Sequence, residues 1–364
     1  ILTLVFGLSS LAVSAQSVRA YFGTRGTEGI HTALFNEETG KLSDSRKVAE
    51  SNHSGFLAWS PKYQTLYATA ALEGRKGGVA AYGVAEDGEL TLKGIESSEG
   101  SGACFVSVDA SEQMVMVANY GSGGVAALKI GEGGALEKST SFHQHEGSSV
   151  NERRQEGPHA HSIYPGPNNK FAYAPDLGTD EVVIYRMDPA KSALEPAGAG
   201  KMPPGSGPRH MKFSKDGKRA YVLSELTLTV VVFERNEDTG GLAQIQEVSV
   251  LPDGQPGERM SCSEILVSKD GRFVYTANRD VAGEGRDSLS VLSVGSNGTL
   301  KRIQTVPAEV SIPRNINLSP SGAWLLVAGQ KKGGVPVFKV ADDGRLSFSD
   351  HRMPLDGAMC IIFQ

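Results

Sequence analysis

Cysteine is scarce: three in 364 residues, Cys104, Cys262 and Cys360, widely spaced and without a CxxC pair. That excludes a disulfide framework and a zinc-ribbon type of site, and isolated cysteines in apolar runs read as small buried hydrophobes. Aromatic residues are few, 7% of the chain. Basic charge is not in excess either. Thirty-six Lys and Arg face 41 Asp and Glu, for a net charge of −5, the wrong sign for a protein that neutralises nucleic-acid phosphates over a broad face. GxSxG and HExxH are both absent, which removes the commonest serine-hydrolase and zinc-protease signals. GSGGVA from Gly121 mimics a dinucleotide fingerprint but leads into an alternating strand, not a helix. No cofactor and no metal is therefore expected, and nucleic acid is excluded as a main partner.

The most apolar stretch, Ile1 to Ala15, carries no charge and ends in Val13, Ser14 and Ala15. It is shorter than the ~20 residues that a helix needs to span a bilayer, and its small-residue ending reads as a cleavage site. Residues 1–15 are thus expected to be a secretory signal peptide, with no membrane span in the mature chain and a periplasmic or secreted location. Residues 16–364 are expected to form a single domain.

Glycine is what the chain has in abundance, 44 residues, and its distribution is regular. A Gly-x-Leu turn recurs at Gly40, Gly88, Gly134, Gly240, Gly298 and Gly344, with Ser192 in the remaining slot. The Leu positions 42, 90, 136, 194, 242, 300 and 346 are separated by 46 to 58 residues. Each turn is preceded by an alternating apolar run such as GGVAALKI from Gly123 or LTVVVFER from Leu228, the signature of a strand. Another strand lies before each run, for example RAYVL at 219 and FVYTA at 273, and in six units a further short strand precedes that. Four strands per unit at this period describe a blade, so the expected fold class is all-β, a seven-bladed β-propeller. The first unit lacks its innermost strand, and Ala358 to Phe363 (AMCIIF) is an orphan strand at the other end. Pairing the two closes the ring and leaves no open sheet edge.

The passages GSSVNERRQEGPHAHSI (Gly147 to Ile163), PDLGTDEVVIYR (Pro175 to Arg186), GSGPRHMKFSKDGKRAYVLSEL (Gly205 to Leu226) and EILVSKDGRFVYTANR (Glu264 to Arg279), in this order, resemble the seven-bladed propeller lactonases. That family includes a class of 6-phosphogluconolactonases and the fungal-type carboxy-muconate cyclases, and the resemblance covers Tyr21 to Phe363.

The repeat itself places a site. In a blade, the start of the innermost strand and the end of the second strand reach the same rim of the central channel. His159 and His161 are expected to open the inner strand of blade four, Arg209 and His210 that of blade five, and Arg314 that of blade seven. Glu225 ends the second strand of blade five, and Arg279 holds the same place in blade six. Arg154 lies in an interblade excursion expected over the same mouth. Guanidinium groups hold carboxylate or phosphate and stabilise the oxyanion of an attacked lactone carbonyl, and Glu225 or His161 is placed to take the proton from water. The resemblance implies the same: positions similar to His161, Arg209, Glu225 and Arg279 form the proposed active site of the cyclase members. These four are expected to be catalytic, and His159, His210, Arg154 and Arg314 substrate-binding, for a small anionic lactone. The leading expectation is hydrolysis of a sugar-acid lactone in the manner of a 6-phosphogluconolactonase. A carboxymuconate-lactonizing cyclase and a non-catalytic binding propeller are the alternatives. Phosphogluconolactone is a cytosolic metabolite, so export would favour an unphosphorylated lactone.

Overall fold

A computed structural model describes residues 17–26 and 28–364; the Ile1–Ala15 segment read as a signal peptide lies outside them. Seven antiparallel four-stranded sheets form one ring. Six are built from consecutive strands, and the seventh is closed as the sequence implies: Ala358–Phe363 pairs as inner strand with Ser17–Thr24, setting Ala20 opposite Phe363 and Gly23 opposite Cys360. The alternating runs bury both faces because each sheet is sandwiched between two neighbours. Seven apolar clusters result, each joining adjacent blades; one packs Leu223, Val230 and Val232 of blade five against Ile265, Val274 and Leu292 of blade six. Burying one such side chain contributes about 1.5–3 kcal/mol.

The Gly-x-Leu turn acquires a structural reason. The glycine has a positive φ, +71° at Gly40 and +76° at Gly240, and it sits on the first residue of the second strand of the preceding blade. A β-carbon at Gly40 would stand 2.6 Å from the Trp324 ring, and one at Gly240 would stand 2.7 Å from Phe171. The turn therefore combines a left-handed backbone with a contact that no side chain fits. At two joints a tyrosine of the second strand also locks the turn of the next blade: the hydroxyls of Tyr21 and Tyr67 donate to the carbonyls of Gly88 and Gly134 at 3.1 and 2.9 Å. Gly240→Ala is expected to destabilise the ring by about 2–3 kcal/mol, combining positive-φ strain with overpacking against Phe171. A denaturant midpoint equal to wild type in that variant would contradict this.

The inner strands carry the feature that shapes the channel. In five blades the register between inner and second strand slips by one residue near the channel mouth, leaving Met359, Cys104, Arg209, Ser263 and Arg314 as the extra residues. A bulge re-aims the side chain it carries. Four of these five, all except Ser263, line a single cavity. Blade four departs from the expectation. Its regular inner strand is only Tyr164–Pro165, so His159 and His161 do not open a strand but precede it in an irregular segment. Pro158, Pro165 and Pro167 interrupt this stretch, and Pro175 on the facing strand has no N–H to return. The segment is nonetheless held at the rim by the Ala160–Asp176 bridge and by the His161 N–H, which donates to the Pro175 carbonyl at 2.9 Å.

Candidate active site

Glu225 is the centre of the arrangement. Its carboxylate accepts from Arg154 at 2.7 Å and Arg209 at 3.0 Å, and Arg279 lies 3.1 Å away. His161 Nε2 is 3.9 Å from the same carboxylate, too long for a hydrogen bond. Burial pushes the Glu225 carboxyl up, but Arg279, Arg209 and Arg154 together overrule it and hold it well below the usual carboxylate range. His161 is displaced the other way: burial, then Arg209, His210 and Arg314, hold its imidazole well below the ordinary histidine value. The site at neutral pH is thus an ionised carboxylate beside a neutral imidazole.

Each arginine is aimed by a different device. Arg209 sits on the bulge of blade five and donates to the Ser263 carbonyl of blade six as well as to Glu225. Arg279, at the end of its strand, donates to the Cys262 carbonyl at 2.7 Å. Arg154 comes from the interblade strap after Gln144, and its half-exposed guanidinium stands between Glu225 and solvent. That strap is pinned by two buried aspartates. Asp176 accepts from the His159 N–H at 2.8 Å and pairs with His145 at 2.6 Å. Asp180 accepts from Ser149 Oγ in the strap and from the Gly205 and Gly207 N–H groups leading to Arg209. One carboxylate thus fixes both the strap and the strand that carries Arg209.

Arg314 differs from the rest. Among the described residues it has no carboxylate partner, and burial together with Arg209 and Arg279 presses its guanidinium well below the ordinary arginine value. Three guanidinium groups thus contact one carboxylate and a fourth, Arg314, stands in the same charge cluster without a partner, an excess of positive charge that an anion would relieve. Arg209, His210 and Arg314 share the wall of a cavity of about 120 Å³ with Cys104 and Phe56. His161 adjoins this wall, its Nδ1 3.9 Å from Cys104 Sγ and its ring 5.3 Å from that of His210, and Glu225 links Arg209 to Arg279.

Comparisons with known proteins fit this geometry. A family model described as lactonase, 7-bladed beta-propeller matches residues 19–363. The chain belongs to this lactonase family. A 6-phosphogluconolactonase of Bacillus subtilis is 33% identical over 94% of this chain and 97% of its own length. One of Formosa agariphila is 29% identical over 91% and 94%. Among solved structures, the periplasmic gluconolactonase of Pseudomonas aeruginosa superposes with a TM-score of 0.88 at 28% identity, covering 96% of this chain and 99% of that one. The protein is a lactonase-type enzyme.

The remaining expected residues of the lactonase fall into two roles. His159 is turned away from Glu225: its Nδ1 donates to the Tyr120 carbonyl at 2.9 Å, and its ring stacks on Tyr120 at 4.6 Å. Tyr120 in turn accepts from Arg154 at 3.2 Å, so His159 supports the arginine through the tyrosine. His210 lines the cavity with a carboxylate behind it. Its Nδ1–H donates to Glu264 at 2.9 Å, and its Nε2 faces Arg209 at 3.2 Å. Glu264 also accepts from Asn315 Nδ2 at 2.6 Å. Tyr120, Glu264 and Cys104 were missed in the sequence. Tyr120 had a signal: in MVMVANY it holds the seventh place that Glu225 holds in RAYVLSE and Arg279 in FVYTANR. Cys104 occupies the bulge position of Arg209, and burial pushes its thiol up to about 11. Among the described residues no group of His, Cys, Asp or Glu side chains is placed to hold a metal.

His210 also sets a pH limit on the fold. Burial drives its imidazole down to about 4 in spite of Glu264, while the unfolded chain protonates near 6.5. Between these values the unfolded state binds the extra proton, so stability is full above about pH 6.5 and declines as pH falls toward 4. The melting temperature is expected to drop across that window, and His210→Asn should flatten the drop; an unchanged slope in the variant would refute the assignment.

Proposed function

We propose that this lactonase hydrolyses the intramolecular ester of a sugar acid, as the 6-phosphogluconolactonases it resembles are named for doing. The observation that carries the reading is the trio of guanidiniums, Arg154, Arg209 and Arg279, on Glu225, with the unpartnered Arg314 on the cavity wall and a neutral His161 beside the carboxylate.

The lactone lies in the cavity with its carbonyl oxygen toward Arg209 and Arg314. Water adds to the carbonyl carbon while its proton passes to His161, and the carbonyl π pair moves onto oxygen. The oxyanion is held by guanidinium N–H donors already in place, which is the larger part of the rate gain. Collapse breaks the bond between the carbonyl carbon and the ring oxygen, and the imidazolium returns its proton to the departing alkoxide. His161 is favoured over Glu225 as the base because a carboxylate clamped by three arginines has little affinity for a proton. Glu225 instead holds Arg209 and Arg279 apart and aimed, and it stabilises the imidazolium across 3.9 Å.

The deciding assay follows ring opening of gluconolactone and 6-phosphogluconolactone above the spontaneous rate, with carboxymuconate as the competing substrate. Catalysed opening of either lactone is the expected result. Cyclisation of carboxymuconate alone would replace this reading with the cyclase, and inactivity on all three would leave a binding propeller.

A further inference from the structure

Glu264 is a second buried carboxylate, 2% exposed, and unlike Glu225 it holds a histidine and no arginine. It accepts from His210 Nδ1 and Asn315 Nδ2, and Asn315 Oδ1 in turn accepts from the Ile361 N–H at 3.0 Å. We propose that Glu264 is a positioning residue of the lactonase: backed by Asn315, it fixes His210 in the tautomer whose Nε2 accepts from Arg209, which leaves Arg209 Nη2 as the donor to the lactone oxyanion. This rests on the hydrolytic reading above and adds to it the group that sets the direction of the arginine.

The tautomer follows from the partners at both ends of the ring. A guanidinium only donates, so the 3.2 Å contact between Arg209 Nη1 and His210 Nε2 is a hydrogen bond only when Nε2 carries no proton. At the other end an ionised carboxylate only accepts, so Nδ1 carries the proton. Burial pushes the Glu264 carboxyl up, but His210, then Lys212 and Arg209, outweigh it and hold it down to about 2. Arg209 is thereby held on three sides. Its Nε donates to Glu225, and both hydrogens of Nη1 are used, one by His210 and one by the Ser263 carbonyl. Nη2 alone has no acceptor among the described residues, and Arg209 lines the cavity. Its two N–H groups are the preorganised donors that a developing oxyanion needs.

The construction is specific to these blades. Blade six grips blade five residue for residue: the Ser263 carbonyl takes Arg209, and the next residue, Glu264, takes His210. In both strands the first of the pair is the bulged residue, and Asn315 follows bulged Arg314 in the same way. One register position thus supplies a histidine, a carboxylate and an amide from three successive blades, and the Ile361 N–H of blade one ends the chain of bonds. Phe56 and Phe105 meet the imidazole in T-shaped contacts at 5.7 and 5.3 Å, so its other walls are apolar. A buried network of this kind works only when every member is satisfied. Glutamine in place of Glu264 cannot satisfy it. With its oxygen toward His210, its amide meets the Asn315 amide donor to donor, because Asn315 Oδ1 is committed to Ile361. Turned over, it drives the histidine proton to Nε2, against Arg209.

The test measures kcat and KM for gluconolactone in wild type, Glu264→Gln and the double variant Glu264→Gln/Asn315→Asp. In the double variant the carboxylate moves one blade on, where it accepts from the introduced amide and from the Ile361 N–H, and every donor again meets an acceptor. Glu264→Gln is expected to lower kcat by roughly 10- to 100-fold with KM little changed, since the oxyanion contact is made only in the transition state, and the double variant to recover most of the loss. Nitrogen-15 NMR of the histidine-labelled protein, with His210 assigned by its loss in His210→Asn, is expected to show the proton on Nδ1 in wild type and the double variant and its displacement in Glu264→Gln. A wild-type ring protonated at Nε2, or a Glu264→Gln kcat equal to that of wild type, would overturn the proposal and leave the lactonase reading standing. Should Glu264→Gln fail to fold, the wild-type spectrum and the double variant decide: Nδ1–H with near-wild-type kcat supports the proposal, and Nε2–H overturns it. If wild type opens no lactone, the hydrolytic reading fails, and the spectra still decide whether Glu264 sets the tautomer that faces Arg209.

Discussion

Glu225→Gln is expected to abolish most of the activity, lowering kcat/KM by about 10³-fold, on the scale seen when preorganised charge is removed from a catalytic site. The cause is not loss of a base. The carboxylate is the shared counterion of Arg154, Arg209 and Arg279, and the amide accepts hydrogen bonds without neutralising them. Arg209 is 1% exposed and cannot retreat into water, so three like charges remain at close range with nothing between them. Breaking one side of a buried ion pair costs about 3–5 kcal/mol, and the melting temperature should therefore fall with the rate. Glu225→Asp keeps the charge and is expected to restore most of the stability but less of the rate, since a shorter side chain cannot reach all three guanidiniums. Full activity in Glu225→Gln would remove the carboxylate from the mechanism and leave the arginine cluster without its proposed role.

His161→Asn has the second large effect, a fall of about 10²–10⁴-fold in kcat, the range for loss of a general base, with the melting temperature nearly unchanged. Its signature is the pH profile. Because burial and the neighbouring cations hold the imidazole well below 6.5, the reactive neutral form persists as pH falls through 6.5. Activity is lost only further down, when the proton is finally taken up. Wild type should therefore show a flat profile from neutrality past pH 6.5, with an acidic limb beyond it that disappears in His161→Asn. A limb centred at or above 6.5, or one retained in the variant, would transfer the base function to another group.

The contrast between Arg279 and Arg25, a residue of the cavity lining, shows how far sequence reading reached. Arg279 was legible because VSKDGRFVYTANR aligns without a gap on FSKDGKRAYVLSE, and the repeat then assigns it to the rim beside Glu225. Arg25 has the same repeat position in RAYFGTR but follows the one unit whose inner strand comes from the far end of the chain, so the alignment had no complete first blade to rest on. His159 and His161 were placed at the correct rim but in the wrong local structure, because proline on both facing segments removes the donors that a ladder needs. His159 shows the complementary limit: its type and place suit substrate contact, yet stacking on Tyr120 turns it into a support for Arg154. Cys104 read as a buried hydrophobe and is instead part of a cavity wall.

What the sequence by itself determined is the ring. Six Gly-x-Leu turns, Ser192 in the seventh slot, and alternating strands admit one way of burying both faces of each sheet, and the orphan strand from Ala358 has one open edge to fill. Local pattern suffices there because every unit repeats the same solution. Side-chain direction at the channel mouth was decided only in three dimensions. A one-residue register slip sets which side chain enters the cavity, and it leaves no mark in a period-two pattern. The protonation states of Glu225 and His161 likewise depend on which arginines come within reach, through strands that are distant in the chain.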